Sequence, residues 1–501
     1  MPRKLKFVDS RVLLLATIVA VARMLAPRPT QAQSDSWTPP YPMILTAQRA
    51  LAFVQAADQK LDYVPGEVLV KFKDGVTTAG QQRALMALRS GPDVSELRWV
   101  GDVAVFTDQR ELDATILAAQ LSAQPEIAYA EPNYLLRKMS TPNDPSFALR
   151  QWNFSAIDLP RAWDVNAGSN ASVIIAVVDF GITNVNQSFT FPTWDGGAIR
   201  SVSVPFAINP DLQASRLVSG RDFTFWNGPV LDMDSHGTHV SGTIGEDTNN
   251  GLAEAGIAYH ARIMPVKVCL GYWDLQFTLS ASGFRGFVPQ NVAGCDTATV
   301  AQGIRYAADN GAKVINISLG GPGASLTQRD ALSYAVGRGA FIAIAMGNEF
   351  LDGNPTDYPA AYARDIDGVM SVGAVGRTLK RAYYSNTGAH LEISAPGGDD
   401  SDGAAGEIWQ ATISPLDSDS RTIFFPRFDR YVEKAEEGTS MASPHVAGIA
   451  ALIMSQGVTN PAAVEALIKA TARDLGAPGR DDLYGYGLIQ PRVALRGVGV
   501  K

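Results

Sequence analysis

Residues 172–180 read SVIIAVVDF, and this stretch decides the fold class. The run from Val173 to Val178 is apolar at every position, so a strand formed here must be covered on both faces. The run FIAIA at 341–345 has the same character, and similar runs alternate with helical patterns along most of the chain. This alternation predicts an α/β domain with a doubly wound, mainly parallel sheet.

Polar residues that follow such strands are candidates for function, because sites on parallel sheets gather at the carboxyl ends of the strands. Asp179 ends the opening strand, although a lone aspartate there could equally cap a turn. The segment MDSHGTHVSG places His236 and His239 among small residues, in a chain with 5 histidines. A zinc site is the alternative for these histidines, but no HExxH pattern and no nearby cysteine accompanies them.

Ser440 lies in EGTSMASPHVAG, residues 437–448, just before an apolar run that continues to Met454. A serine at such a place commonly caps the helix that follows. A helix that is apolar on nearly every side is buried, so its first amide groups can face an oxyanion. We therefore predict that Ser440 caps this helix and also acts as a nucleophile, provided that a base lies elsewhere in the chain.

Two further segments complete a possible site. VINISLGG at 314–321 ends in glycines whose backbone can pair with an extended peptide, and IAMGNE places Asn348 just after a buried strand. Alone, Asn348 would more often be a turn residue. Together, a strand-end aspartate, a histidine in a glycine-flanked turn, an asparagine and a buried helix-start serine indicate acyl transfer.

The motifs VVDFGI, HGTHVSGT, VINISLGG, AMGNE and GTSMASPHVAG resemble those of the subtilisin-like serine proteases, the subtilase family. They occur in the family's order of aspartate, histidine and serine, and the similarity runs from about Asn143 to Leu495. The resemblance implies a serine endopeptidase that hydrolyses proteins and peptides and needs no cofactor for catalysis. It also predicts a catalytic domain at 140–501.

The resemblance implies a role for each candidate residue. His236 would take the proton of Ser440, and Asp179 would fix the tautomer of His236 and stabilise its charged form. The side-chain amide of Asn348 would join the backbone N–H of Ser440 in an oxyanion hole. His239 would be structural.

Substrate would add as a strand along Ser318, Leu319 and Gly320, which implies broad specificity. In TDYPAAY, Asp357 stands where the family's YP element approaches the pocket for the residue preceding the scissile bond, and Glu349 follows the oxyanion asparagine. These two carboxylates lead to the hypothesis that Lys or Arg is preferred there. The alternative is that either side chain simply faces water.

Structural calcium is also implied by the resemblance. EDTNNGLAEAGIA resembles the family's calcium-loop region, with Asn249 and Asn250 as candidate ligands. INPDL resembles the family's HPDL element, which nominates Asp211. An acidic loop that binds no ion is the alternative.

The chain has 2 cysteines, Cys269 and Cys295. In an exported protein an even number of cysteines suggests a disulfide, here one that would pin an insertion at 270–295. Two buried free thiols are the alternative. A second insertion is predicted at 399–436.

The residues before the catalytic domain divide into three predicted parts. Residues 1–32 have the basic, apolar and small-residue layout of a signal peptide, with a membrane anchor as the alternative. Residues 33–65 contain proline-bearing turns and are interpreted as a linker or leader. Residues 66–139 follow the order β-α-β-β-α-β of a small α+β, ferredoxin-like domain.

This small domain resembles the family's inhibitory propeptide, and its tail YAEPN fits the end that occupies the cleft before cleavage. The resemblance implies a zymogen whose propeptide acts as an intramolecular inhibitor and is removed by self-cleavage between Tyr134 and Pro145. A binding module that stays attached is the alternative.

Composition narrows the function classes. With 501 residues and a formal net charge of -8, the chain can build a full core and has no general basic surface for nucleic acid. No later segment is apolar enough to cross a membrane, so a secreted protein, extracellular or periplasmic and monomeric, is expected. An inactive scaffold would not need all four candidate residues, and an α/β-hydrolase esterase would need a GxSxG elbow.

Overall fold

The computed structural model describes residues 46–59, 61, 63–88, 93–108, 113–135, 141–289, 291–415 and 426–497. The predicted signal peptide, the first part of the predicted leader and the predicted boundary at 139/140 lie outside these residues. The chain forms two compact units, residues 1–135 and 136–501. Within the described ranges, no helix has the length and apolar character needed to span a bilayer.

The first unit is a small α+β domain. Its elements are α1 (Ala47–Asp58), β1 (Tyr63–Phe72), α2 (Thr78–Leu85), β2 (Arg98–Val100), β3 (Val103–Thr107), α3 (Ala114–Ser122) and β4 (Ile127–Tyr134), with a 3-10 turn at Val94–Glu96. The strands form an antiparallel sheet in the order β2-β3-β1-β4. The predicted β-α-β-β-α-β order is confirmed. Thr77 and Asp113 begin α2 and α3 as N-caps, because their side chains accept backbone N–H groups of the first turn.

The predicted linker at 33–65 includes ordered structure. Residues 47–58 form α1, and the boundary predicted between residues 65 and 66 falls inside β1. Pro65 and Gly66, which were interpreted as a turn, lie where the pairing of β1 with β4 shifts register, and Gly66 has a φ of 70°. The dipeptide therefore marks an irregularity within a strand. Such irregularities, like turns, tolerate proline and glycine.

The second unit is larger and alternates strands with helices. Its strands are β5 (Ile174–Asp179), β6 (Gln187–Trp194), β7 (Ile199–Phe206), β8 (Arg221–Asp222), β9 (Arg262–Lys267), β10 (Cys269–Leu270), β11 (Gly294–Cys295), β12 (Val314–Ile317), β13 (Phe341–Ala345), β14 (Val369–Val375), β15 (Ile393–Pro396), β16 (Ile408–Ile413) and β17 (Tyr431–Glu436). Its helices are α4 (Phe147–Arg150), α5 (Trp152–Ala156), α6 (Leu159–Trp163), α7 (His236–Gly245), α8 (Tyr272–Ala281), α9 (Thr297–Asp309), α10 (Leu326–Gly337), α11 (Thr439–Ser455), α12 (Pro461–Thr471) and α13 (Pro491–Gly497). Four 3-10 segments are Ala214–Arg216, Phe350–Asp352, Ala360–Asp365 and Asp400–Gly406.

In the described part of this unit, the main sheet is seven-stranded and parallel, in the order β15-β14-β13-β12-β5-β9-β8. The apolar run of β5 serves both faces. Ile175 and Val177 join the core that contains α11, whereas Ala176 and Val178 join the core that contains α9 and α10. Neighbouring side chains of a strand point to opposite faces of the sheet. Because both faces are covered by helices here, none of these positions of β5 faces water. The predicted doubly wound sheet is confirmed.

The two segments predicted as insertions, 270–295 and 399–436, pack against β6 and β7 in one aromatic cluster. Phe191 of β6 stacks on Phe277 of α8, with ring centroids 4.6 Å apart. Phe206 of β7 stacks on Phe428 just before β17 at 4.9 Å. Cys269 and Cys295 form a disulfide at the base of the segment that carries α8. The predicted disulfide is therefore present, and the insertions form one packed layer.

Candidate active site

Asp179 and His236 are in direct contact. Asp179 ends β5 and is 1% exposed, and its Oδ1 lies 2.8 Å from Nδ1 of His236. The backbone N–H of Phe180 donates to the same oxygen over 2.7 Å, and the Phe180 ring sets its edge against the imidazole. The carboxylate favours the tautomer with a proton on Nδ1, which leaves Nε2 as the proton acceptor.

A buried carboxylate that was not predicted holds the turn before His236. Asp232 is fully buried and accepts the N–H of Ser235 over 2.9 Å and that of Thr238 over 3.1 Å. The hydroxyl of Thr238 also donates to it, over 2.5 Å. Burial raises the pKa of Asp232 to about 6 despite these donors. Its sequence signal is an aspartate four residues before the histidine that begins α7.

Three carboxylates surround the imidazole of His236. Burial lowers the pKa of His236, but the charge and hydrogen bond of Asp179, with the charges of Glu436 and Asp234, outweigh burial and raise it to about 9. Only the neutral imidazole can accept a proton, so the base form predominates above that pH. Neither Glu436, from β17, nor Asp234 was predicted to belong to the site.

Ser440 is the second residue of α11, and Gly438 occupies the N-cap position. The prediction that Ser440 caps this helix is therefore wrong, because the Gly438 carbonyl already accepts the N–H groups of Met441 and Ala442. The Ser440 hydroxyl donates to the Ser318 carbonyl oxygen over 3.2 Å and, in the described structure, makes no hydrogen bond with His236.

Pro444 explains why Ser440 lies beside β12. Because proline has no N–H, the carbonyl of Ser440, four residues earlier, lacks its helical donor. The hydroxyl of Ser318 supplies a donor at 2.9 Å. Asn316 donates to that hydroxyl over 2.9 Å, and Ser443 donates to Asn316 over the same distance. This network ties the start of α11 to the carboxyl end of β12.

Asn348 presents its amide nitrogen near Ser440. Its side-chain oxygen accepts both the N–H and the hydroxyl of Thr439 at 2.9 Å, which turns Nδ2 outward. The position that a Cβ on Gly438 would occupy is 3.5 Å from Asn348 Nδ2 and 3.5 Å from the Ser440 N. Both nitrogens therefore lie beside the space that a side chain on residue 438 would occupy.

The segment Ser318–Gly320 follows β12 along an open edge. Leu319 and Gly320 form no backbone hydrogen bond with any described residue, whereas Gly321 exchanges backbone hydrogen bonds with Tyr358 at 3.0 and 2.8 Å. Gly320 is exposed. This edge can accept the backbone of an extended peptide.

Asp357 and Glu349, predicted as specificity residues, come together behind this edge. Asp357 is 3% exposed, so the alternative that the side chain simply faces water does not hold for it. Burial, the charge of Glu349 and a hydrogen bond to Glu349 raise the pKa of Asp357 to about 7.

The predicted calcium residues also meet. Asn250 Nδ2 donates to Asp211 Oδ1 over 2.5 Å, whereas Asn249 takes part through its backbone N–H, which donates to Asp144 over 2.9 Å. Asp144, which also accepts the N–H of Asn250 over 3.2 Å, was not predicted. Asp211 Oδ2 is buried without a hydrogen-bond partner in the described structure. Burial and neighbouring carboxylates raise the pKa of Asp211 to about 7, against the hydrogen bond from Asn250.

The remaining histidines of the motifs are buried. His239 is fully buried, with Nε2 against the carbonyl oxygens of Ile408 and Lys434. His445, also fully buried, contacts Met441 O and Asn153, and burial lowers its pKa to about 4.

Comparisons with known proteins agree with this geometry. The subtilase family profile matches residues 170–487, and that of the fervidolysin N-terminal prodomain matches residues 50–133. A thermophilic serine proteinase of Bacillus sp. (strain AK1) is 30% identical over 440 residues, 87% of this chain and 89% of that protein. An extracellular protease of Xanthomonas campestris pv. campestris is 32% identical over 383 residues, 72% of this chain and 58% of that protein.

Among solved structures, a protease of Pseudoalteromonas arctica aligns with a TM-score of 0.53 and 28% identity, covering 72% of this chain and all of that one (100%). The family match spans more than half of the chain and includes every catalytic candidate, and a prodomain match precedes it. This chain belongs to the subtilase family of serine proteases.

Proposed function

We propose that this chain is the precursor of a secreted serine endopeptidase in which Ser440 is the nucleophile, His236 the general base and Asp179 its orienting carboxylate. The observation that carries the proposal is the 2.8 Å contact between Asp179 and His236, at the sheet edge where α11 begins. No other described histidine pairs its Nδ1 with a carboxylate within hydrogen-bond distance.

In the proposed reaction the Ser440 hydroxyl leaves the Ser318 carbonyl and attacks the peptide carbonyl carbon, while its proton passes to Nε2 of His236. The carbonyl oxygen becomes an oxyanion, which Asn348 Nδ2 and the Ser440 N–H stabilise. The histidine then gives the proton to the leaving amine, and water hydrolyses the acyl-enzyme by the same steps in reverse. The substrate backbone would lie along Ser318, Leu319 and Gly320.

We also propose that the first unit is an inhibitory propeptide that the protease removes from itself. The prodomain match at 50–133 and its position before the protease support this proposal. Secretion is supported by the layout of residues 1–32 and by the name of the Xanthomonas relative, an extracellular protease.

A serine-directed sulfonyl fluoride tests the nucleophile. We expect one equivalent of label, located by peptide mass on Ser440, with loss of peptide hydrolysis in proportion to labelling. His236→Ala should block labelling, because the hydroxyl would lose its base, whereas His239→Asn is the matched control for a change within the same helix. Label on another residue in an inactivated protein would contradict the proposal.

We further propose that Asp211, Asn250 and Asp144 hold a structural calcium ion. The observations that fit a hard, oxygen-binding cation are the unpartnered buried Asp211 Oδ2 and the nearby buried charge of Glu254. A bound cation would offset the negative charge of these carboxylates, and so would stabilise the loop at 249–254.

Calcium removal is expected to lower the thermal unfolding midpoint by about 3–4 °C when calcium had been present at about 100 times its dissociation constant. Asp211→Asn should abolish this difference. Asp400→Asn is the control, because Asp399, Asp400 and Glu437 form a separate, more exposed acidic group. If Asp400→Asn alone abolished the difference, the ion would belong to that group instead.

A further inference from the structure

The pocket behind the proposed substrate edge receives one side chain of a bound peptide, an assignment that rests on the proposed function. A peptide along Ser318–Gly320, with its carbonyl at Ser440, would direct the side chain before the scissile bond between that edge and the segment after β13. These two segments follow neighbouring parallel strands, β12 and β13. The groups that line the space between them will therefore select that side chain.

Asp357 reaches into this space from the chain that pairs with Gly321. Its Oδ2 lies 3.3 Å from the position of a Cβ on Gly320, and a Cβ on Gly347 would overlap it. The same imagined Cβ on Gly347 lies 2.9 Å from Glu349 Oε2 and would overlap the amide of Asn386. Two glycines thus leave room for a polar floor formed by Asp357, Glu349 and Asn386.

The carboxyl group of Glu349 accepts hydrogen bonds from more donors than that of Asp357 does. Glu349 Oε2 accepts the backbone N–H of Asn348 over 2.7 Å and the side-chain amide of Asn386 over 3.1 Å. No described N–H or hydroxyl group donates to the Asp357 carboxyl, whose Oδ2 lies with Glu349 Oε2 beside the Cβ position of Gly347. Two carboxyl groups can share a hydrogen bond only if one carries a proton, and the donors on Glu349 keep that proton on Asp357.

We propose that Asp357 and Glu349 share one proton when the pocket holds a neutral side chain, and that a lysine or arginine side chain displaces this proton to solvent. The pocket then changes from an acid–carboxylate pair to two carboxylates paired with a cation. Preference for Lys or Arg over Leu therefore increases as the pH rises, and one enzyme accepts both classes at lower pH.

The charges around Asp357 support this pH dependence. Glu349 is the charged group that faces it, while Gly320, Gly347 and Asn386, which surround it from the other segments, are uncharged. With its pKa raised to about 7, mainly by burial, Asp357 is protonated below and ionised above that pH. Between about pH 6 and about pH 8 the ionised fraction rises about tenfold, and the ratio of the ionised to the protonated form rises about 100-fold. The first figure limits the change in selectivity if Leu is accepted by both forms, and the second limits it if Leu is accepted only by the protonated pair.

The test uses two peptide p-nitroanilides that differ only in Arg or Leu before the scissile bond. The ratio of their kcat/KM values is measured against pH. Because both substrates use the same base, the titration of His236 cancels in this ratio. We expect the Arg/Leu ratio of the wild type to rise at least several-fold, and at most about 100-fold, between about pH 6 and about pH 8.

Variants separate the pair from general charge effects. Asp357→Asn should lower the Arg/Leu ratio and make it independent of pH, while hydrolysis of the Leu substrate reports that the variant is folded. Glu349→Gln removes the like charge, so the Asp357 pKa should fall and the rise in the ratio should move to lower pH. Asp352→Asn, an exposed carboxylate three residues after Glu349, should leave the profile unchanged.

The outcomes distinguish the inference from the function on which it rests. A wild-type ratio that stays constant over this pH range, or one that keeps its pH dependence in Asp357→Asn, overturns the shared proton. Failure of the wild type to hydrolyse either substrate or casein at any pH, by contrast, overturns the proposed endopeptidase.

Discussion

Ser440→Ala is expected to abolish peptide hydrolysis and to leave the precursor at full length. Loss of the serine or the histidine lowers the kcat of subtilisin by about 10⁶, and a fall of the same order is expected here if Ser440 is the nucleophile as proposed. On the proposed mechanism, the variant lacks the attacking oxygen and with it the means of cleaving its own chain. Casein hydrolysis, N-terminal sequence and mass of wild type and variant, compared side by side, check both effects.

The fold should tolerate this change. The Ser440 hydroxyl makes a single hydrogen bond, to the Ser318 carbonyl at 3.2 Å, so its loss should cost about 1 kcal/mol of stability. Ser443→Ala is the matched control, because it removes a buried hydroxyl from the same helix and should retain hydrolysis. If Ser440→Ala gave the same shortened chain in a protease-free host, self-cleavage would be excluded. If both wild type and variant were inert and full length, a zymogen that awaits another protease would replace it.

Asp274→Ala is expected to destabilise the second unit by about 3–5 kcal/mol, because it leaves the buried ammonium of Lys267 without the carboxylate that contacts it. The Lys267 side chain is 1% exposed and that of Asp274 0%, and Nζ lies 2.8 and 3.0 Å from the two carboxylate oxygens. Burial lowers the pKa of Lys267, but the charges of Asp274 and Asp222 outweigh it and keep the ammonium ionised. Lys267 is the register partner of Asp179 in the pairing of β5 with β9. A local loss of order around Lys267 should therefore also disturb the position of Asp179 in the candidate active site.

Thermal unfolding checks this prediction in the Ser440→Ala background, where autolysis cannot interfere. For a unit spanning 136–501, the loss corresponds to a fall of about 4–7 °C in the unfolding midpoint. The double change Lys267→Met with Asp274→Leu is the control, since an apolar pair of similar size should recover most of the loss. A fall of less than about 1 °C in Asp274→Ala would mean that water or another carboxylate compensates Lys267.

The sequence could predict the candidate site because its residues occupy positions that the fold class fixes in advance. Asp179 ends an apolar strand, and Asn348 follows another, and the carboxyl ends of parallel strands meet at one edge. Ser440 begins a helix that is apolar all round and therefore buried. Local pattern and topology together were enough to bring these residues to the same region.

Local pattern misled where a long-range contact competed with it. Ser440 resembles a helix cap in sequence. Because Pro444 has no N–H to donate to the Ser440 carbonyl, the hydroxyl of Ser318, 122 residues away, donates to that carbonyl instead. Pro65 and Gly66 resemble a turn, but pairing on both sides of β1 carries the strand through them as an irregularity. In both places tertiary hydrogen bonds outweighed a local preference.

What the sequence by itself determined is the parallel α/β fold, the small domain before it and the residue types of an acyl-transfer site, since these depend on periodicity and on chain order. Only the tertiary structure decided which charged groups lie close together, and hence how the pKa values of the site residues are shifted. It gathers Asp234 and Glu436 around His236, joins Asp144 to Asp211 and Asn250, and buries Asp357 against Glu349. The physical reason is that the pKa of a carboxyl group depends on its burial and on the charges within a few ångströms, and neither can be inferred from its neighbours along the chain.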